Sequence, residues 1–143
     1  MDALCTSEAS GTFPSKTFKA FVSRTTVPAS DLVDSRYVYY RRESGAAVAS
    51  GAALRAGAPF LSGVWTRVDW GQVMDPDVRA WTGSAAPNQV ATLETSCNDW
   101  TSSDAQAIAL VGAPIDVGRV WNDQPTPRAN LCDKEMHVYC VEQ

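Results

Sequence analysis

Hydrophobic and polar residues alternate in short runs along this chain, and Gly, Pro, Ser and Asn separate one run from the next. Alternation over 17–23 predicts a half-buried strand. The aromatic and β-branched run 37–40 is typical of a strand as well. Further strands are predicted over 79–82, where Gly83 follows, and over 117–121. The pattern indicates a fold built from many short strands.

The C-terminal run 135–141 alternates most regularly. One face holds Met136, Val138 and Cys140, and the other face holds Glu135, His137 and Tyr139. Residues 2–9 predict a brief helix that ends before Gly11, whereas the Ala- and Gly-rich segment 43–57 predicts a loop. Loops are also predicted over 84–96 and 122–130. These elements together predict one α+β domain over residues 1–143.

The composition suits a globular domain with one sizeable core. The 143 residues are 45% hydrophobic and 20% charged, and no run approaches the roughly 18 apolar residues that a membrane-spanning helix needs. The net charge of −4 argues against nucleic acid as a partner, because nucleic-acid binding relies on an excess of Lys and Arg. We therefore expect neither a membrane span nor a nucleic-acid ligand.

The cysteines point to disulfides. The chain has four, Cys5, Cys97, Cys132 and Cys140, with no Cys-x-x-Cys pair and one histidine, so a zinc site is disfavoured. Two disulfides, for which spacing leaves three pairings open, indicate an exported protein of the periplasm, the cell surface or the outside. A cytosolic protein with free thiols is the alternative. Because no basic or apolar leader follows Met1, we expect that an export signal or longer N-terminal region has been removed.

Five short segments form one layout along the whole chain. They are Asp-Ala-Leu-Cys at 2–5, Phe-Lys-Ala-Phe-Val-Ser at 18–23, Ala-Trp-Thr-Gly-Ser at 80–84, Cys-Asn-Asp-Trp at 97–100 and Tyr-Cys-Val-Glu-Gln at 139–143. In the same order they resemble segments of the endostatin domain of collagens. They are closer still to a family of bacterial endostatin-like surface proteins with Cys-Asn-x-Trp-Thr-Ser and Cys-Val-Glu-Gln signatures. Each segment alone is a weak signal, but five in order are specific.

The resemblance implies a C-type-lectin-like fold, in which neighbouring strands join the two ends of the chain. It also implies a nested disulfide pairing, Cys5 with Cys140 and Cys97 with Cys132. Trp81 and Trp100 are then expected in the core beside these bridges, since a large aromatic side chain near a disulfide usually serves packing.

A calcium site is suggested by Trp121-Asn122-Asp123, which resembles the triplet of calcium-dependent C-type lectins. The expected ligands are oxygen donors, the type that calcium prefers: Asn88, Glu94, Asn122 and Asp123. Ala86 departs from the lectin pattern, because it has no carboxylate at a position that should supply one. The alternative, which we favour, is a strand end followed by an Asx turn, without calcium.

Arginine and aromatic side chains are the other binding candidates. The endostatin resemblance implies a glycosaminoglycan-like ligand bound by arginines, for which the candidates are Arg36, Arg41, Arg42, Arg55, Arg67 and Arg79. Solvated arginines on separate faces are the alternative. Trp65, Trp70 and the run 37–40 are candidate anchors for a protein or sugar ligand. From both groups we select Trp65, Trp70, Arg41 and Arg42 as ligand-binding residues.

The residues do not favour an enzyme. His137 and Glu135 lie two apart on one strand face, where their contact would not aim the imidazole at a nucleophile. No nucleophile elbow, phosphate loop or dinucleotide motif is present. We expect a non-enzymatic recognition or adhesion module without a cofactor, which binds an extracellular protein or matrix-like polymer through loops 43–79 and 84–96. A calcium-dependent carbohydrate lectin and a structural module of a larger surface assembly are the alternatives.

Overall fold

A computed structural model of the chain describes residues 1–41, 44–64, 75–122 and 128–143. Its helices and strands are short, in agreement with the broken hydrophobic pattern. In chain order they are α1 (Asp2–Ser10), β1 (Phe18–Ala20), β2 (Val38–Tyr40), β3 (Ala47–Ser50), α2 (Gly51–Arg55), β4 (Ala80–Trp81), α3 (Cys97–Trp100), β5 (Ile108–Gly112), β6 (Ala129–Leu131), β7 (His137–Val138) and β8 (Cys140–Glu142). Two 3₁₀ helices, Ala29–Leu32 and Leu93–Thr95, lie between them. The protein is α+β.

The strands form three small sheets. β1 pairs with β8 antiparallel, so that Phe18 lies opposite Glu142. β2 and β3 form an antiparallel pair, and the third sheet has the order β6-β5-β4-β7, in which β4 and β7 run parallel. Because the first described strand pairs with the last, the two ends of the chain meet.

The prediction of a loop over 43–57 is wrong for its described part, since β3 and α2 occupy most of it. Ser50 begins α2 as a capping residue, and its hydroxyl accepts a hydrogen bond from the Ala53 main-chain N–H at 3.0 Å. Gly51 is required by packing, because a Cβ atom there would lie 2.0 Å from the main-chain oxygen of Asp34. Small residues thus permit a close approach to another segment, which local propensity does not report.

The predicted strand over 117–121 is also wrong, because this segment forms turns and pairs with no strand. Its main chain instead lies against β5, where a Cβ atom on Gly112 would be 1.9 Å from the Val120 oxygen. Val120 and Trp121 are buried all the same. The apolar residues of the segment reflect burial, not strand pairing. Similarly, β6 lies across the end of the predicted loop 122–130.

Two hydrophobic cores lie on either side of the C-terminal strands. The first core contains Phe21, Ala29, Val33, Ala49, Leu54, Phe60, Ala80, Val120, Trp121, Tyr139 and Val141. The second core contains Cys5, Ala20, Val22, Trp81, Cys97, Ala109 and Val111, with Trp100, Met136, Val138 and Cys140 packed against it. The alternation along 135–141 therefore divides the C-terminal strands between two cores.

Tyr139 fixes the C-terminal strand in the first core. Its hydroxyl donates a hydrogen bond to the Val120 main-chain oxygen at 2.6 Å, and both residues are buried. Burial raises the pKa of the Tyr139 hydroxyl, so the group stays neutral and keeps its proton for this bond. The sequence pattern placed Tyr139 on the face of Glu135 and His137, yet these two side chains are exposed and Tyr139 is not.

Two disulfides join Cys5 to Cys140 and Cys97 to Cys132, the pairing that the endostatin resemblance implies. The first links α1 to β8. The second links α3 to the residue that follows β6. Trp81 is buried and packs edge-on against Trp100, with 6.2 Å between ring centres, so both tryptophans lie in or against the second core.

The helical turn α3 is left-handed. All four of its residues have positive φ, from 50° at Cys97 to 66° at Trp100, a conformation that costs non-glycine residues about 1–2 kcal/mol each. Asn98 and Asp99, in the middle of the turn, are among the residues that tolerate it best. Contacts outside the turn hold it: the Trp100 indole donates to the Ser23 oxygen at 2.9 Å, and the Asp99 carboxylate accepts from the Thr25 N–H at 2.8 Å.

Candidate functional site

A groove of about 960 Å³ lies between β2 and β8. Residues 12–16, which lead from α1 to β1, form part of its lining. Its lining includes Phe13, Phe18, Tyr37, Tyr39, Tyr40 and Arg41. A concave surface rich in aromatic side chains, with polar groups among them, is the usual form of a ligand-binding site. We call this feature the aromatic groove.

Tyr37 and Tyr40 expose their rings at the β2 side of the aromatic groove, with 59% and 60% of their surface accessible. Tyr39, between them, is partly buried against the first core and accepts a hydrogen bond from the Asp34 N–H at 2.9 Å. Tyr39 thereby anchors β2, while Tyr37 and Tyr40 face solvent. Exposed tyrosines on an anchored strand can contact a ligand with little loss of side-chain entropy.

The charged side chains at the aromatic groove are paired within the protein. Lys16, which precedes β1, forms an ion pair with Glu142 of β8, and both residues line the groove. Asp34 is paired with Arg36 at 2.6 Å, and the Arg36 guanidinium lies 5.7 Å from the centre of the Tyr37 ring. Hydrogen bonds from the Arg36 side chain and main chain lower the pKa of Asp34 to about 2, and the same pair raises the pKa of Arg36. These two pairs carry no net charge, and Arg41 adds a positive charge to the lining.

The Asp34–Arg36 pair gives a pH prediction. The pKa of Asp34 is lower in the folded protein than its ordinary value of 3.8. The pair should therefore stabilise the 34–36 turn at pH values above 3.8, and this stabilisation should be lost as the pH falls towards about 2. An NMR titration of the Asp34 carboxyl carbon should show a midpoint near 2. In Arg36→Ala the midpoint should move towards 3.8, though not fully, because the main-chain N–H remains. A wild-type midpoint at the ordinary value would contradict the pairing.

The described members of the predicted calcium set have different surroundings. Asn122 is only 8% exposed, and its amide donates to the Ala85 oxygen at 3.4 Å. Its Oδ1 is buried and has no hydrogen-bond partner among the described residues. Asn88 places its side-chain amide against Gly57. Glu94 is exposed, and hydrogen bonds from its own main chain and from the Thr92 hydroxyl lower its pKa.

Asp123, the fourth member of the calcium set, lies outside the described residues. Within the described ranges, no three or more His, Cys, Asp or Glu side chains form a group that could hold a metal. Calcium binding stays a prediction of the sequence.

The candidate arginines that are described have different contacts. Arg36 is paired with Asp34, whereas Arg55 binds the Val33 oxygen and lies 3.7 Å from Asp31. Arg79 is buried and donates to the main-chain oxygens of Pro76 and Val78. Of the selected ligand-binding residues, Arg41 lines the aromatic groove. The other three, Trp65, Trp70 and Arg42, lie outside the described residues, as does Arg67.

Sequence reasoning identified only part of the aromatic groove. The run 37–40 was a candidate from its aromatic content, and it forms one wall. Residues 12–16 and 140–143 carry no local signal of binding and join the groove only because β1 and β8 pair there. His137 lies exposed on β7, opposite Ala80 of β4. The predicted contact loop 84–96 contributes no lining residue among those described.

Comparison of the chain with protein-family models and with curated proteins found no match. Among the described residues, no helix has the length and apolar character needed to cross a membrane.

Proposed function

We propose that this protein is a non-enzymatic recognition module of the endostatin type, exported by a bacterium and built on a C-type-lectin-like fold. Its ligand is an extracellular protein or a matrix-like polymer, and the aromatic groove is the binding site. The observation that carries the proposal is the exposure of Tyr37 and Tyr40 beside a groove of about 960 Å³. Two disulfides support an oxidising, extracellular compartment.

The groove can be explained as a binding surface, without a catalytic role. Its polar groups include ion pairs and tyrosine hydroxyls, which suit contact with a ligand surface. Tyrosine is among the residues that most often dominate binding energy at interfaces, because a large rigid ring excludes water and its hydroxyl still bonds. A rigid scaffold with two disulfides holds such rings in place before the ligand arrives.

The proposal predicts that the double variant Tyr37→Ser/Tyr40→Ser loses binding. The oxidised chain would be tested against immobilised heparin, hyaluronan and gelatin, and at least one should bind. The double variant should then weaken binding by about tenfold or more, as expected for two aromatic anchors. Leu61→Ser/Leu93→Ser is the matched control, because both leucines are exposed and neither lines the groove.

Equal binding by the wild type and the tyrosine double variant would place recognition elsewhere. If no polymer binds and the protein instead self-associates, the module has a structural role and the proposed function is wrong. Binding to heparin that weakens with salt but ignores the tyrosine changes would assign recognition to the arginines.

A further inference from the structure

We infer that the aromatic groove binds an extended polypeptide segment of a partner protein, which adds as a strand to the open edge of β8. This inference rests on the proposed recognition function and specifies its ligand class. Strand addition uses main-chain hydrogen bonds for affinity and side-chain pockets for specificity. It therefore requires a strand edge with unpaired main-chain groups beside a groove that can hold side chains.

The register of β8 shows which of its main-chain groups are open. Phe21 donates its N–H to the Tyr139 oxygen at 2.7 Å, and Gln143 donates to the Thr17 oxygen at 2.9 Å. Successive residues of a strand direct their main-chain groups to opposite edges. Tyr139 and Gln143 thus face β1, whereas Cys140 and Glu142 face away from it. Among the described strands, β8 has β1 as its single neighbour.

The opposite edge of this strand pair is covered, which makes the open edge of β8 distinctive. The outward N–H of Ala20 donates to the Asp2 carboxylate at 3.0 Å, and the outward oxygen of Phe18 accepts from the Thr6 hydroxyl at 3.2 Å. Both acceptor and donor belong to α1. The helix therefore protects the β1 edge against pairing with other chains, as soluble proteins commonly do. On β8 the outward oxygen of Glu142 accepts a long hydrogen bond from the Gln143 side-chain amide at 3.5 Å, and no described strand or helix pairs with this edge.

A second open edge faces the same groove. Gly51 donates to the Tyr37 oxygen at 2.9 Å and Arg41 donates to the Ala46 oxygen at 2.8 Å, so these residues direct their main chain at β3. Val38 and Tyr40 direct theirs outward. Val38, Tyr40, Cys140 and Glu142 all line the aromatic groove. An entering strand would pair with β8 and have the β2 edge and its tyrosines on its other side.

The charges of the groove select the chemistry of the segment. Lys16 is paired with Glu142 on β8 and Asp34 with Arg36, and Arg41 is the remaining charged side chain of the lining. An uncharged segment can enter without breaking either pair, whereas a sulfated polymer or a polycation would have to compete with one of them. The aromatic lining favours alternating apolar side chains. The expected ligand is an uncharged, β-prone segment with apolar residues at every second position.

The test begins with a random 12-residue peptide library displayed on phage and selected against the oxidised, full chain. Enriched peptides would be synthesised and each residue N-methylated in turn, which removes one main-chain N–H at a time. Strand addition predicts that methylation at every second residue weakens binding by about tenfold or more, while the residues between tolerate it. Uniform sensitivity, or none, would overturn the inference, and this readout needs no protein variant.

The protein side of the bond is tested by comparing Glu142→Pro with Glu142→Ala. Both remove the carboxylate that pairs with Lys16, but only proline removes the outward N–H. Proline is tolerated on a strand edge where its nitrogen faces solvent, and thermal unfolding would verify that the variant folds. Peptide binding should be at least about tenfold weaker in Glu142→Pro than in Glu142→Ala. Equal affinities would overturn the inference.

Failure of this inference is distinguishable from failure of the proposed function. If Tyr37→Ser/Tyr40→Ser loses binding but the N-methyl scan shows no alternation, recognition stands and strand addition is wrong. If sedimentation shows a dimer that Glu142→Pro dissociates, a second copy of the chain occupies the edge and the partner segment is wrong. If neither peptides nor polymers bind, both proposals fail.

Discussion

Removal of the bridge between Cys5 and Cys140 is expected to lower the free energy of unfolding by about 5 kcal/mol. The bridge spans 135 residues, and the chain-entropy model gives about that value for a loop of this length. It restricts the unfolded chain far more than the folded one, because β1 and β8 already bring the chain ends together. For a domain of this size the loss corresponds to a fall in Tm of about 15–20 °C.

Urea unfolding of Cys5→Ser/Cys140→Ser would measure this effect. The matched control is Cys97→Ser/Cys132→Ser, which removes a bridge across 35 residues and should cost about 4 kcal/mol on the same model. Removing this second bridge also frees the left-handed turn α3, so that its strained residues can relax. This relaxation offsets part of the stability that the Cys97→Ser/Cys132→Ser variant loses. A loss below about 1 kcal/mol for the first variant would contradict the entropic argument.

The change Trp121→Ala should destabilise the protein by about 3–5 kcal/mol, the usual range for a large buried aromatic. Trp121 is buried in the first core, where its ring lies 5.2 Å from Phe21 edge-on and 6.4 Å from Phe60 in a stacked arrangement. Its indole N–H donates to the Ser84 hydroxyl at 3.3 Å. Truncation would leave a cavity and remove this hydrogen bond, although the Ser84 hydroxyl keeps Ser23 and Ala86 as partners, so the cavity is the main cause of the loss.

Urea unfolding would also check this second prediction, with Leu61→Ala as the control. Leu61 is 67% exposed, so its truncation should change stability by less than about 0.5 kcal/mol. Trp121→Ala should weaken ligand binding too, because Phe21 and Phe60 line the aromatic groove and rest on the indole. Unchanged stability in Trp121→Ala would show that the ring is not packed as described.

Several features of the fold could be predicted because they depend on neighbouring residues. The helix at the N-terminus and the strand runs at 17–23, 37–40 and 135–141 follow from local periodicity and composition, and short elements lie at each of them. An even number of cysteines without metal-ligand spacing predicted disulfides, which the structure contains. Such signals are readable because burial on one face leaves a period of two in the sequence.

The errors came from segments whose conformation depends on distant contacts. The 43–57 segment has the composition of a loop, yet its alanines and Gly51 allow close packing against Asp34. The 117–121 segment has the composition of a strand, yet it packs its main chain on Gly112 instead of pairing. In both cases one glycine admits the backbone of another segment, a contact that the local pattern of residues does not show.

The candidate site shows the same division. Aromatic residues at 37–40 are visible in the sequence, and so is their capacity to bind. In the structure these residues face β8, and β8 keeps an open edge while α1 covers the edge of β1. This arrangement depends on the pairing of β1 with β8, whose residues are more than a hundred positions apart. Local pattern reports which side chains are buried. Long-range packing decides which strand edges meet. Nearly every residue has the same main-chain donor and acceptor, so the sequence does not show which strand a given edge will pair with.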